Sequence, residues 1–75
     1  NPVLSVSFGL PTDALTSVTI YNTLGEEVDV VYGQKMLQAG HHTFFWNAGS
    51  HTSGMYFVKV ESGNYTDTQK ALLVK

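Results

Sequence analysis

The chain has no cysteine and no arginine, and it carries few charges of either sign. Without cysteine, neither a disulfide framework nor a thiolate metal site can form. The basic residues are four scattered lysines, and the formal net charge is −2. Such a chain offers no positive field to a phosphate backbone, so we expect no binding to nucleic acid.

Long apolar runs and helical periodicity are also missing. No stretch approaches the roughly 18 residues of a membrane-spanning helix, and the start shows no signal-peptide pattern, so we expect no transmembrane segment. The best candidate for an amphipathic helix, residues 34–39, is too short. The chain begins at Asn1 without a methionine, which predicts that residues 1–75 are a single domain excised from a longer secreted protein.

Short segments that alternate apolar and polar residues fill the chain between clusters of turn-forming residues. This period of two is typical of half-buried strands. Six to seven such strands predict an all-β, immunoglobulin-like antiparallel sandwich with Trp46 at the centre of its core. The predicted inward-facing residues are Leu4, Val6, Phe8, Leu10, Val18, Ile20, Val28, Val30, His42, Phe44, Trp46, Tyr56, Val58 and Val60.

Two later segments carry more specific expectations. The third strand, predicted over residues 27–32, has an extra apolar residue, Val31, that indicates a bulge or a sheet edge, and Gly33 predicts a turn after it. A hairpin turn at residues 62–64 leads to the last strand, predicted over residues 65–74. Its consecutive apolar residues predict burial on both faces or recognition by a partner, because one face cannot remain in water.

No group of side chains indicates catalysis or a cofactor. His41 and His42 are adjacent on a predicted strand and point to opposite faces, so they cannot share a metal ion. We expect these two and His51 to be exposed or to lie at strand edges. No nucleophile with a base and an orienting group is recognisable, which predicts that the domain is not an enzyme. The clustered acidic residues, which we expect to solvate a hairpin rather than bind calcium, are Glu26, Glu27 and Asp29.

Four aromatic residues have the parity opposite to the core set: Tyr21, Tyr32, Phe45 and Phe57. They could form an exposed platform that binds sugars, as in an accessory adhesion or carbohydrate-binding module of a polysaccharide-degrading enzyme. The interpretation we favour is cross-strand pairing with partial burial at the sheet edges.

Several longer motifs resemble the type A C-terminal sorting domain of the bacterial type IX secretion system, which is also called the Por secretion system. They cover essentially the whole chain in the family's order. The motifs are Asn1-Pro2, Phe8-Gly9-Leu10-Pro11, Val18-Thr19-Ile20-Tyr21-Asn22-Thr23-Leu24-Gly25-Glu26-Glu27-Val28, Ala39-Gly40-His41-His42, Phe45-Trp46-Asn47-Ala48, Ser53-Gly54-Met55-Tyr56-Phe57-Val58-Lys59-Val60 and Gln69-Lys70-Ala71-Leu72-Leu73-Val74-Lys75. The immunoglobulin-like domain of the flagellar hook-capping protein has a similar middle, and it remains an alternative at this point.

The resemblance implies a non-catalytic module at the end of a secreted enzyme or adhesin from the Bacteroidetes and related phyla. Such cargo passes through the periplasm to the outer-membrane type IX translocon and its attachment machinery, then to the cell surface or medium, with attachment to anionic lipopolysaccharide. The implied sorting motif is Lys70, Leu72, Leu73, Val74 and Lys75. The other implied family positions are Leu24, Gly25, Val28, Gly54 and Tyr56. Turn geometry is a sufficient physical reason for the two glycines, and core packing is one for the tyrosine.

Overall fold

The computed structural model describes residues 3–74, which form six antiparallel strands in two packed sheets and contain no helix. One sheet has two strands in the order β1-β4, and the other has four strands in the order β3-β2-β5-β6. The predicted all-β, immunoglobulin-like antiparallel sandwich is therefore confirmed, with six strands. The strands are β1 (Val3–Leu10), β2 (Ala14–Tyr21), β3 (Glu27–Leu37), β4 (Gly40–Asn47), β5 (Gly54–Ser62) and β6 (Tyr65–Leu73).

The core lies between the inner faces of the two sheets and follows the alternation in the sequence. Trp46 is buried at its centre and makes an edge-to-face contact with Tyr56, with ring centroids 5.2 Å apart. Burial of each large apolar side chain contributes about 1.5–3 kcal/mol to the stability of the fold. The predicted inward residues of β1, β2, β4 and β5 all lie in this core or pack at its margin.

Strand β3 departs from the prediction in two ways and agrees with it in one. It runs to Leu37, which is buried, so Gly33 lies inside the strand and the predicted turn there is wrong. The pairing of β2 with β3 skips Val31, which confirms the predicted bulge, and β3 is also an edge strand. Because the register shifts, Val28 packs against the core whereas Val30 faces the solvent, so the prediction that both face inward is wrong for Val30.

The β5–β6 hairpin places the last strand at the edge of the four-stranded sheet. Its two-residue turn begins at Gly63, whose φ of 57° favours glycine, and Asn64 follows with a negative φ, as in a type II′ turn. Along β6 the side chains alternate, so the strand has one face in water and one against the core. The prediction that this strand cannot have one face in water and the other against the core is therefore wrong.

A hydrogen bond joins the two sheets through the core. Trp46 Nε1, on β4, donates to Asp29 Oδ2, on β3, over 2.8 Å, while Val30 N donates to Asp29 Oδ1 over 2.8 Å. The expectation that Asp29 only solvates a hairpin with Glu26 and Glu27 is therefore wrong. Asp29 satisfies the buried indole N–H, which would otherwise lose a hydrogen bond to water without compensation.

A buried pair of hydroxyl groups links β2 to β5. Thr16 Oγ1 lies 2.8 Å from Ser62 Oγ and 3.1 Å from the carbonyl oxygen of Ala14. Both hydroxyl residues are almost fully buried, and each needs a partner there because no water reaches it. The sequence pattern did not indicate this pair, since polar residues near strand ends are usually exposed.

Candidate functional site

The terminal motif is divided between the two faces of β6. Leu73 is 1% exposed and belongs to the core, whereas Leu72 is 59% exposed and Val74 is 72% exposed. Lys70 is also exposed and lies on the same side as Leu72. Lys75, the last residue of the motif, lies outside the described residues. Core packing thus accounts for Leu73 and leaves the exposed apolar residues without a role in the fold.

The internal motif forms the turn between β2 and β3, and Asn22 organises it. Asn22 Oδ1 accepts hydrogen bonds from Leu24 N over 2.9 Å and from Glu26 N over 3.0 Å, and Asn22 Nδ2 donates to Glu26 Oε1 over 2.9 Å. Gly25 has a φ of 80°, which a residue with a side chain rarely adopts. Asn22, Gly25 and Glu26 therefore form the turn. The side chain of Leu24 is 81% exposed and does not stabilise it.

The third segment predicted to carry family positions, Gly54 and Tyr56, begins strand β5. Gly54 has a φ of 152°, which a residue with a side chain rarely adopts. Tyr56 is buried, and its hydroxyl donates to the carbonyl oxygen of Thr52 over 2.6 Å. Between them, Met55 is half-buried on the outer face of the sheet. Met55 is not among the residues that the sequence predicts for the site, since the resemblance implies only Gly54 and Tyr56 here.

These motifs lie close together at one end of the four-stranded sheet. Leu24, Met55 and Tyr56 line one shallow groove of about 220 Å³. Met55 is also directly opposite Leu72 in the pairing of β5 with β6. Residues far apart in the sequence are thus brought to one surface, whereas Val28 remains on the core side of β3.

Lysines lie near the Leu72 end of this surface, whereas the exposed Glu26 and Glu27 lie beside Leu24 at its other end. Lys70 lies opposite Phe57, and Lys59 lies opposite Thr68, both on the outer face. Within residues 3–74, neither lysine takes part in an ion pair. In contrast, the ammonium group of Lys35 on β3 lies 5.0 Å from the centre of the Tyr32 ring. The end of the sheet that carries Leu72 therefore presents apolar side chains beside an uncompensated positive charge.

A second groove separates the edges of the two sheets. β1 pairs with β4, and β6 pairs with β5, so their other edges face each other without a backbone ladder over the described residues. The space between them is about 240 Å³ and is lined by residues of both strands, including Leu4 and Leu72. One side-chain bond crosses it, from Gln69 Nε2 to the carbonyl oxygen of Ser7 over 2.7 Å.

The histidines do not converge on a site. His41 is exposed as expected, but His42 stacks on Phe8 at a centroid distance of 5.5 Å, and His51 packs against Trp46 at 5.2 Å. His42 lies on the edge strand β4, as the expectation allows, whereas His51 is half-buried outside the strands, so the expectation is wrong for His51. Among residues 3–74, no group of three or more His, Asp or Glu side chains is placed to hold a metal ion.

The four outward aromatic residues do not form one platform. Tyr21 and Phe57 pair across strands on the outer face of the four-stranded sheet, as predicted, but they lie on its two central strands and not at an edge. Phe45 is 71% exposed on the other sheet, whose outer face points in the opposite direction. Tyr32 packs edge-on against Phe44, with ring centroids 6.0 Å apart. This arrangement gives no continuous surface on which a sugar chain could stack.

Comparison with known proteins matches the chain over residues 1–75 to one family, described as the secretion system C-terminal sorting domain. Comparisons with curated proteins and with solved structures returned no match. Over the described residues, no helix is long and apolar enough to cross a membrane. Because the family match extends over the whole sequence, this chain belongs to the type IX secretion C-terminal sorting domain family.

Proposed function

We propose that residues 1–75 act as one sorting domain that directs an upstream cargo, an enzyme or adhesin, through the outer-membrane type IX translocon. The cargo would reach the translocon from the periplasm, and the attachment machinery would then release it or join it to anionic lipopolysaccharide. The domain itself would supply recognition and no chemistry. The single observation that carries this proposal is the family match over residues 1–75.

Family membership already defines the coarse role. A type IX sorting domain implies export to the cell surface or the medium and interaction with the type IX secretion machinery. The family is non-catalytic in general. This match favours sorting over a flagellar hook-capping role, and the separated aromatic residues give the carbohydrate-binding alternative no specific support.

The last strand provides physical support for recognition. Leu72 and Val74 expose apolar surface that the fold does not use, and exposed apolar patches are typical of interaction sites. The outer edge of β6 also lacks a backbone partner along the groove beside β1. We propose that the translocon contacts this end of the domain and that an extended segment of the partner pairs with the free edge of β6.

The test uses a secreted reporter with the full chain fused to its C-terminus in a host that has the type IX system. We expect reporter on the cell surface or in the medium, and we expect retention of the same fusion in a matched host that lacks the translocon. The control is the reporter without the chain, which should stay inside both hosts. Export of the fusion that does not depend on the translocon would contradict the proposal.

A further inference from the structure

We infer that Leu24, Met55 and Leu72 form a single docking surface, called here the composite surface, for a protein partner with apolar side chains and a carboxylate. This inference rests on the proposed sorting function and deepens it. Leu24 and Leu72 are predicted motif residues, and Met55 lies between the predicted positions Gly54 and Tyr56. In each case, neighbouring residues have structural roles that this side chain does not share.

In each of the three segments, residues that hold the local structure lie next to one side chain that does not. Asn22 and Gly25 shape the turn that carries Leu24, and Tyr56 anchors the strand that carries Met55. Leu73 fills the core next to Leu72. Leu24 is 81% exposed and Leu72 is 59% exposed, so these two side chains contribute little to the stability of the fold.

The side chains of Leu24, Met55 and Leu72 also lie next to one another on the surface. Leu24 and Met55 line the same groove, and Met55 lies directly across from Leu72. Because adjacent strands are about 4.8 Å apart, the side chains of Met55 and Leu72 are direct neighbours. Methionine adapts to a partner's shape, and it is enriched at protein interfaces. One partner side chain or short segment could therefore contact all three residues together.

The charges beside this surface differ at its two ends: Glu26 and Glu27 are exposed beside Leu24, and Lys70 is exposed beside Leu72. We therefore place the partner's carboxylate at the Leu72 end. Lys70 lies two residues before Leu72 on the same face and, among residues 3–74, has no acidic partner. A carboxylate on the partner would complement it, and complementary charges fix the orientation of a complex. Anionic lipid is a poorer fit, because membrane recognition typically uses about four to eight clustered basic residues. The four lysines here are scattered.

The inference is tested in the full reporter fusion with Leu24→Ser and Met55→Ser as separate variants. We expect each to lower translocon-dependent export by about tenfold, the effect of removing an interface anchor. Leu15→Ser is the matched control, because Leu15 is 54% exposed on the opposite end of the same face, and we expect it to leave export unchanged. Thermal unfolding of each variant should coincide with the unsubstituted chain.

Charge is tested in the same assay. We expect Lys70→Glu to lower export by about tenfold, whereas Lys35→Glu makes the same change in net charge on the far strand β3 and should have little effect. If the two substitutions lower export equally, the inferred carboxylate contact is wrong.

Other outcomes would overturn the inference in distinguishable ways. If the unsubstituted chain gives translocon-dependent export but Leu24→Ser and Met55→Ser do not change it, the composite surface is wrong and the sorting function stands. If export does not depend on the translocon at all, the sorting function itself fails. Self-association of the chain, or binding to vesicles of anionic lipid, that Leu24→Ser abolishes would show that the partner has been misidentified.

Discussion

Trp46 and Asp29 join the two sheets of the sandwich by a hydrogen bond of 2.8 Å between the indole N–H and the carboxylate. Asp29→Ala removes the acceptor and leaves a buried donor unpaired, so we expect a loss of about 1–3 kcal/mol in the free energy of unfolding. For a domain of this size, each kcal/mol corresponds to about 4–8 °C in Tm. Calorimetry of the variant measures both quantities.

Asp29→Asn serves as the control for shape. It keeps one oxygen acceptor but cannot accept from both Trp46 and Val30 through two oxygens, so we expect a smaller loss than for the alanine variant. Equal stability of Asp29→Ala and the unsubstituted chain would contradict the structural role assigned to this carboxylate.

The buried hydroxyl pair should behave as one unit. We expect Thr16→Val to destabilise the chain by about 1–3 kcal/mol, because Ser62 loses its buried partner. Adding Ser62→Ala removes the second polar group, so the double variant should be less destabilised than the sum of the two single variants. Urea unfolding of the four chains gives this coupling energy, and simple additivity would show that the pair is not coupled.

The hairpin before the last strand depends on Gly63. We expect Gly63→Ala to cost about 1–2 kcal/mol, because its φ of 57° disfavours a residue with a side chain. Gly33 provides a matched control: it lies in β3 without a positive φ, and an added Cβ would meet no heavy atom within 4 Å. Gly33→Ala should therefore be neutral or slightly stabilising in thermal unfolding. A larger loss at Gly33 than at Gly63 would contradict this difference.

Much of the fold could be predicted from the sequence, because side-chain alternation and turn chemistry are local. Trp46 and the inward residues of β5 illustrate this, since a period of two determines which face they occupy. Strand β3 could not be predicted in the same way. Its bulge at Val31 interrupts the alternation, and the contact between Asp29 and Trp46 depends on how two distant strands pack.

The candidate site was only partly predictable for a different reason. Leu72 and Leu73 are chemically identical and adjacent, and the sequence predicts either burial of both or recognition by a partner. Burial of apolar residues is a one-way rule, and exposed leucines are common on protein surfaces. The position of Met55 opposite Leu72 depends on strand register, so no local pattern in the sequence could associate Met55 with the terminal motif.

The central claim is that the outward face of β6 carries the sorting signal while the inward face holds the fold. A deletion of residues 72–75 would test it poorly, since it also removes the buried Leu73. A double variant, Leu72→Ser with Val74→Ser, changes two exposed side chains, one on the outward face of β6 and one just after the strand. Leu73→Ala is the companion variant for the inward face, and it should cost about 2–5 kcal/mol in stability.

The most direct measurement is translocon-dependent export of the reporter fused to this double variant, compared with its Tm. We predict a loss of export of about tenfold or more, with a Tm equal to that of the unsubstituted chain. Export at the level of the unsubstituted chain would contradict the claim, because the exposed residues of the terminal strand would then carry no signal.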